Sequence, residues 1–158
     1  MLAFKKILVP LDFGPSSEEA LRMAIDLAKT FGSELTIIHV WEVPLYAYSG
    51  MEFSTIDLLT PARDLAQKQL DEKLDALRKE GANVRGILRS GSAWSEVRSA
   101  IDELAPDLVV MGTHGRHGLS RTFLGSVAEK IVRYSASPVL TVREKAPATK
   151  PTSTAMES

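Results

Sequence analysis

The chain has 158 residues, 44% of them hydrophobic and 25% charged, and its 19 Lys and Arg against 20 Asp and Glu leave a net charge of −1. Such a chain fits one soluble globular domain with a core of its own, and its near-zero balance gives no basic field to attract nucleic acid. There is no cysteine, which excludes a disulfide framework and any thiolate metal site.

The opening "MLAFKKILVPLDFG" breaks its apolar run with two lysines and meets an Asp at once. It therefore resembles neither a secretory h-region nor a transit peptide. No apolar run approaches the ~20 residues that span a bilayer. The expectation is a cytoplasmic protein without membrane association.

In chain order, "KILVPLD" (Lys6 to Asp12) reads as a short buried strand. A helix follows, with Ser16 and Glu19 as a capping box, Leu21, Ala24, Ile25, Ala28 and Phe31 at helical spacing, and Gly32 as the stop. "ELTIIHVWE" (Glu34 to Glu42), rich in β-branched and aromatic residues, is strand two. The stretch 43–60, carrying Tyr46, Tyr48 and Phe53, reads as a long loop, either packed over the domain's edge or functional.

Thr60-Pro61 opens a second helix, with Pro at the first helical position, Ala66, Leu70, Leu74 and Leu77 on one face, and Gly81 at its end. "NVRGILRSG" (Asn83 to Gly91) is strand three, weakened by Gly86. Helix three, "AWSEVRSAIDELA", puts Trp94, Val97, Ile101 and Leu104 on one face; "PDLVVMG" is strand four. "SVAEKIVRYSA" is helix four, and "VLTV" (Val139 to Val142) is strand five. From Arg143 onward the composition turns to Pro, Thr, Ser and Ala without an apolar period, which reads as a disordered tail. Residues 1–143 are thus one domain and 144–158 a tail. Alternating short apolar strands and helices mean an α/β fold, a doubly wound parallel sheet with helices on both faces.

Ligands of such sheets bind beyond the carboxyl ends of the strands, where strand order reverses. Two strand ends offer chemistry: Pro10-Leu11-Asp12 after strand one and Met111-Gly112 after strand four. Periodicity does not say whether these strands are neighbours. The stretch "GTHGRHGLSRTFLGS", Gly112 to Ser126, holds four glycines, two histidines and two arginines and no acid. Positive φ at Gly112 and Gly115 would let backbone approach a ligand closely, and helix four would present free N–H groups to an anion. Arg116 and Arg121 add positive charge. A polyphosphate cradle is one reading. The other is a solvated connection, in which Ser126 and Glu129 form only a capping box.

The spacing Gly112-x-x-Gly115, then nine residues, then Gly125-Ser126 resembles the nucleotide-binding signature of the universal stress protein family. "VVMGTHGRHGLSRTFLGSVAEKIVRYSASPVLTV" and "KILVPLDFGPSSEEALRMA" are similar to that family too, so the resemblance covers residues 4 to 143. It implies an adenine nucleotide alpha hydrolase-like fold with strand order 3-2-1-4-5, which makes strands one and four neighbours. It implies that ATP is bound, with Pro10, Leu11 and Asp12 bordering the adenosine, and Asp12 near the ribose or a Mg²⁺. Val40 would contact the adenine. Met111, Gly112, His114, Gly115 and Arg116 would line the ribose and phosphate path, and Gly125, Ser126 and Val127 would bind phosphates. It further implies a homodimer paired through Val139, Leu140, Thr141 and Val142. Two departures stand out. Gly14 replaces a common Ser, leaving Ser16 to cap helix one, and Ala93 replaces a common Pro.

His39, inside an apolar strand, reads as a satisfied core histidine; His114 and His117 are too few for zinc. The sequence has no Walker loop, no G-x-G-x-x-G after strand one and no G-x-S-x-G elbow. The expectation is a stress-response sensor or adaptor that holds ATP. The alternatives are a slow ATPase or phosphotransferase using the same pocket, and a nucleotide-free chaperone-like dimer.

Overall fold

The strands alternate their side chains between two apolar layers. Ile7 and Val9 belong to one buried cluster with Leu21, Ala24, Leu70 and Leu74. Leu8, between them, belongs to another with Val97, Ile101 and Ile131. A period of two with both faces apolar requires helices on both sides of the sheet.

The computed structural model describes residues 3–43, 55–115 and 123–145. Within these, the elements run β1 (Lys6–Pro10), α1 (Pro15–Phe31), β2 (Glu34–Trp41), α2 (Thr55–Lys79), β3 (Val84–Ser90), α3 (Ala93–Leu104), β4 (Leu108–Gly112), α4 (Ser126–Tyr134) and β5 (Val139–Val142). The strands form one sheet in the order β3-β2-β1-β4-β5, and every pairing is parallel. Order reverses between β1 and β4, the pair that periodicity alone left undecided.

Three local readings change. Helix α1 is capped by Gly14, with Pro15 in its first turn and no side-chain cap bond. Ser16 and Ser17 lie inside the helix, so Ser16 and Glu19 form no capping box, and Glu19 instead pairs with Arg22. Helix α2 begins at Thr55 and carries Pro61 inside it, where the missing N–H forfeits one backbone bond of the early helix. Most of the 43–60 stretch, with Tyr46, Tyr48 and Phe53, lies outside the described residues. Gly86 is no accidental weak point, because a Cβ there would stand 2.5 Å from Leu74 Cδ1. The glycine lets α2 settle onto β3.

The end of the sheet opposite the carboxyl termini is fastened by Asp107. Its Oδ2 accepts the backbone N–H of Lys5 at 2.8 Å and of Lys6 at 2.9 Å, and the N–H of Lys6, then that of Lys5, hold its carboxyl below the usual range. Arg89, then Ser99, does the same for Glu103, and Arg22 for Glu19. A carboxyl depressed on folding contributes stability above its unfolded value, and that stability is lost as pH falls through the folded one. The guanidinium midpoint should therefore hold between pH 7 and 5 and fall below about pH 4. Asp107→Asn should flatten part of that fall.

Candidate functional site

The crevice between β1 and β4 opens because the strands part. Their register runs only through Ile7↔Leu108 and Leu8↔Val109, whereas β4 stays paired with β5 to Gly112↔Val142. Beyond Leu8, Pro10–Asp12 and Met111–Gly112 therefore diverge around a cavity, which helices α3 and α4 close from one side with Ala93, Val97, Val127 and Ala128.

One end of the cavity is apolar, lined by Pro10, Ile38, Val40, Val97 and Met111. It also carries a backbone edge. β1 pairs with β2 no further than Pro10↔Ile38, and the last bond between them is Leu11 N–H donating to Ile38 C=O at 2.9 Å. In a parallel strand the peptide groups alternate sides. Trp41 C=O faces β3, where it accepts Gly91 N–H. Val40 therefore turns its N–H and C=O toward the cavity, a donor and an acceptor side by side above an apolar slot.

The β1 end is a tightly held corner. His39, buried at 7% exposure, donates from Nδ1 to Leu11 C=O at 2.7 Å, which makes it the satisfied core histidine its strand position predicts. Its ring also meets that of Phe13 edge-on, with centroids 4.8 Å apart. Phe13 sits at φ +62°, the left-handed region that few non-glycine residues adopt. That turn brings Gly14 N–H to Asp12 Oδ1 at 2.8 Å. The other oxygen, Oδ2, lies 3.6 Å from where a Cβ on Gly115 would stand.

The glycines of the second loop do different jobs from one another, and neither Gly112 nor Gly115 takes positive φ. At Gly112 a Cβ would lie 2.5 Å from Ser16 Oγ and 2.8 Å from the backbone N of Ser17, so this glycine admits the first turn of α1. At Gly125 it would lie 3.1 Å from Thr113 O, which itself accepts Gly125 N–H at 2.6 Å. At Gly115 a Cβ would meet only Asp12 Oδ2. Among the described glycines of this loop, Gly115 alone leaves space toward the cavity.

Gly125 is also the cap of α4, with no side-chain bond to the helix N-terminus. Ser126 is therefore the first helical residue, and the expected Ser126–Glu129 capping box is absent; Glu129 binds Arg133 at 2.8 Å instead. Gly125, Ser126, Val127 and Ala128 all line the cavity, so amides with no partner in their own helix open into it. The buried Nε2 of His114 has no hydrogen-bond partner among the described residues, while its Nδ1 lies 2.9 Å from Thr113 Oγ1. A buried polar atom of this kind usually signals a missing partner.

Of the residues singled out in the sequence, Pro10, Leu11, Asp12, Val40, Met111, Gly112, His114, Gly115, Gly125, Ser126 and Val127 line this one cavity. Arg116, together with Arg121 and His117, lies outside the described residues. Ser17, Ile38, Ala93, Val97, Thr113 and Ala128 also line it. Val97 carried a helical-face signal that marked it as core, and Ala93 stood out only as a departure from the family pattern; the other four carried none. Among the described residues no group of three His, Cys, Asp or Glu could hold a metal, and no helix is long and apolar enough to cross a membrane.

The model of the universal stress protein family matches residues 3–143. The chain belongs to the universal stress protein family. It is 31% identical over 141 residues to universal stress protein MJ0531 of Methanocaldococcus jannaschii, covering 89% of this chain and 83% of the relative. It superposes on the solved structure of MJ0577 with a TM-score of 0.80 and 28% identity, covering 92% of this chain and all of that one; MJ0577 is a universal stress protein of the same archaeon. A universal stress protein solved in complex with cAMP shares the fold, with a TM-score of 0.68 at 23% identity over 91% of this chain and all of that one. This universal stress protein thus shares its fold with a member that was solved with cAMP.

Proposed function

We propose that this universal stress protein binds ATP in the β1/β4 crevice and works as a homodimeric sensor or adaptor in the cytoplasm. Residues 1–143 form the nucleotide-binding domain and 144–158 a tail. One observation carries the reading. The same cavity joins an apolar slot bearing the Val40 backbone edge to the N-terminus of α4, which no side chain caps. The slot suits a purine, and an N–H beside a C=O suits the edge of adenine, which offers a ring nitrogen acceptor beside an amino donor. Guanine presents the opposite order. The α4 amides suit phosphate, which the helix dipole also favours.

In this reading Pro10, Leu11 and Val40 border the adenosine, and Asp12 receives the ribose. Met111, Gly112, His114, Gly115 and Arg116 line the path to the phosphates, which Gly125, Ser126 and Val127 hold. Magnesium, when bound, takes one or two carboxylates with phosphate oxygens and water, so Asp12 would hold it only together with the nucleotide. The dimer forms through Val139, Leu140, Thr141 and Val142. β5 ends the sheet, and Leu140, Val132 and Tyr134 on and beside it are exposed, an arrangement that favours pairing with a second copy.

Isothermal titration should show ATP binding at micromolar strength, about −8 kcal/mol, and GTP binding at least about tenfold weaker for want of a matching edge. Light scattering on the same sample should give twice the chain mass. Equal affinity for the two nucleotides would count against the Val40 edge, and a monomeric mass against the β5 pairing.

A further inference from the structure

Away from the crevice, helices α3 and α4 gather four side chains around one indole. Trp94, half-buried on α3, packs on the apolar cluster of Val97, Ile101, Ala128 and Ile131. Arg98, a turn later on α3, places its Cζ over the ring, 5.6 Å from the centroid. From α4, Lys130 Nζ lies 5.8 Å from the same centroid. The exposed ring of Tyr134 meets the indole at 5.8 Å, tilted by 58°. The i, i+4 spacing puts Trp94 with Arg98, and Lys130 with Tyr134, on one flank of each helix, so the four meet along the α3/α4 seam. Both cations lack a counter-charge. Arg22, Arg78, Arg85, Arg89 and Arg133 are each paired with a carboxylate, and two acids of these helices are taken, Glu103 by Arg89 and Glu129 by Arg133. Among the described residues neither Arg98 nor Lys130 forms an ion pair, and Asp102, a turn beyond Arg98, does not pair with it.

We infer that this seam is a docking surface for an acidic segment of another protein. Two positive charges drawn to one ring repel each other, and carboxylates laid across them relieve that repulsion. A guanidinium held over an indole keeps its N–H edge free for a carboxylate and loses little freedom in binding one. Trp, Tyr and Arg are also the residue types that dominate interface energetics. Here the packing of Trp94 on the core holds them in place before a partner arrives. The carboxylates of the segment meet Arg98 and Lys130, while its apolar groups cover the indole and the Tyr134 ring. Nucleic acid fits worse, since a phosphate backbone is held by a longer run of cations and the chain has a net charge of −1. The surface is separate from the β5 edge. Helix α3 packs on β2 and α4 on β5, so the seam between them lies inward of that edge. Nothing in this inference requires a nucleotide in the crevice.

The test is an anisotropy titration of the full chain against a fluorescein-labelled peptide of repeated Glu-Glu-Leu, with the Gln-Gln-Leu peptide as its uncharged match. The acidic peptide should bind, and the uncharged one should bind at least about fivefold more weakly. Arg98→Glu combined with Lys130→Glu should weaken the acidic peptide by at least about fivefold. Both residues are exposed, so the melting temperature should shift little; Arg98→Gln with Lys130→Gln takes the place of the reversal if that variant does not fold. Arg63→Glu with Lys68→Glu, the same change of net charge on α2, should leave binding as it was. In a proton–nitrogen spectrum the indole resonance of Trp94 should move on adding the peptide while that of Trp41 stays. No binding, equal binding of the two peptides, an equal loss in the α2 variant or an unmoved Trp94 indole would each overturn the assignment. So would a labelled single-stranded oligonucleotide that binds more tightly than the acidic peptide and is lost with the same double variant.

Discussion

Gly115→Val is expected to weaken ATP binding by at least about a hundredfold, about 3 kcal/mol, while the protein melts close to the wild-type temperature. Nothing in the described protein opposes the first atom of the side chain, since a Cβ at Gly115 meets only Asp12 Oδ2 at 3.6 Å. That is ordinary contact, and φ is not in the glycine region. The fold is therefore expected to accept valine. The space its methyls would fill lies between Asp12 and the start of α4, along the path proposed for ribose and phosphate. Titration calorimetry beside a thermal melt separates the two effects. Retained micromolar binding would mean that the phosphates run elsewhere.

Gly112→Ala should do the reverse, damaging the fold first. Its Cβ would stand 2.5 Å from Ser16 Oγ, 2.7 Å from Ser16 C and 2.8 Å from Ser17 N. Two of those are backbone atoms of α1 and cannot rotate away. The helix must back off from β4, and Ser16 is a junction of that region. Its Oγ accepts His114 N–H at 3.3 Å and lies 3.5 Å from Val142 C=O, which also accepts Thr113 N–H at 3.1 Å. Overpacking against backbone costs about 1–3 kcal/mol or more, and for a chain of this size each kcal/mol lowers the melting temperature by about 2–4 °C. A drop of about 5 °C or more in differential scanning calorimetry is expected. A single methyl that left the melting temperature unchanged would show that α1 moves freely over β4.

These two glycines share one motif, and nothing local distinguishes them. The job of Gly112 is set by α1, which comes from the other end of the chain, whereas that of Gly115 is set by empty space. The strand order was hidden for the same reason. Periodicity marks five strands, but the adjacency of β1 and β4 depends on crossovers that no window of sequence contains, and only the family resemblance anticipated it. The caps failed for a more local reason. Ser16 and Ser126 match the Ser-x-x-Glu pattern, yet Pro15 already marks a first helical position, and Gly14 and Gly125 cap in their place. At α2 that proline rule misleads, since Pro61 stands within a helix that starts earlier. His39 was legible because a lone histidine in an apolar strand must find an internal acceptor, and Leu11 C=O supplies it.

If the crevice holds ATP with useful affinity, the protein should leave the cell with it. The most direct test is mass spectrometry of the small molecules released by denaturing freshly purified protein, quantified against protein concentration and repeated with Gly115→Val. The expected result is ATP at a substantial fraction of one per chain in the wild type and none in the variant. An empty wild-type protein that also fails to take up added ATP would contradict the account.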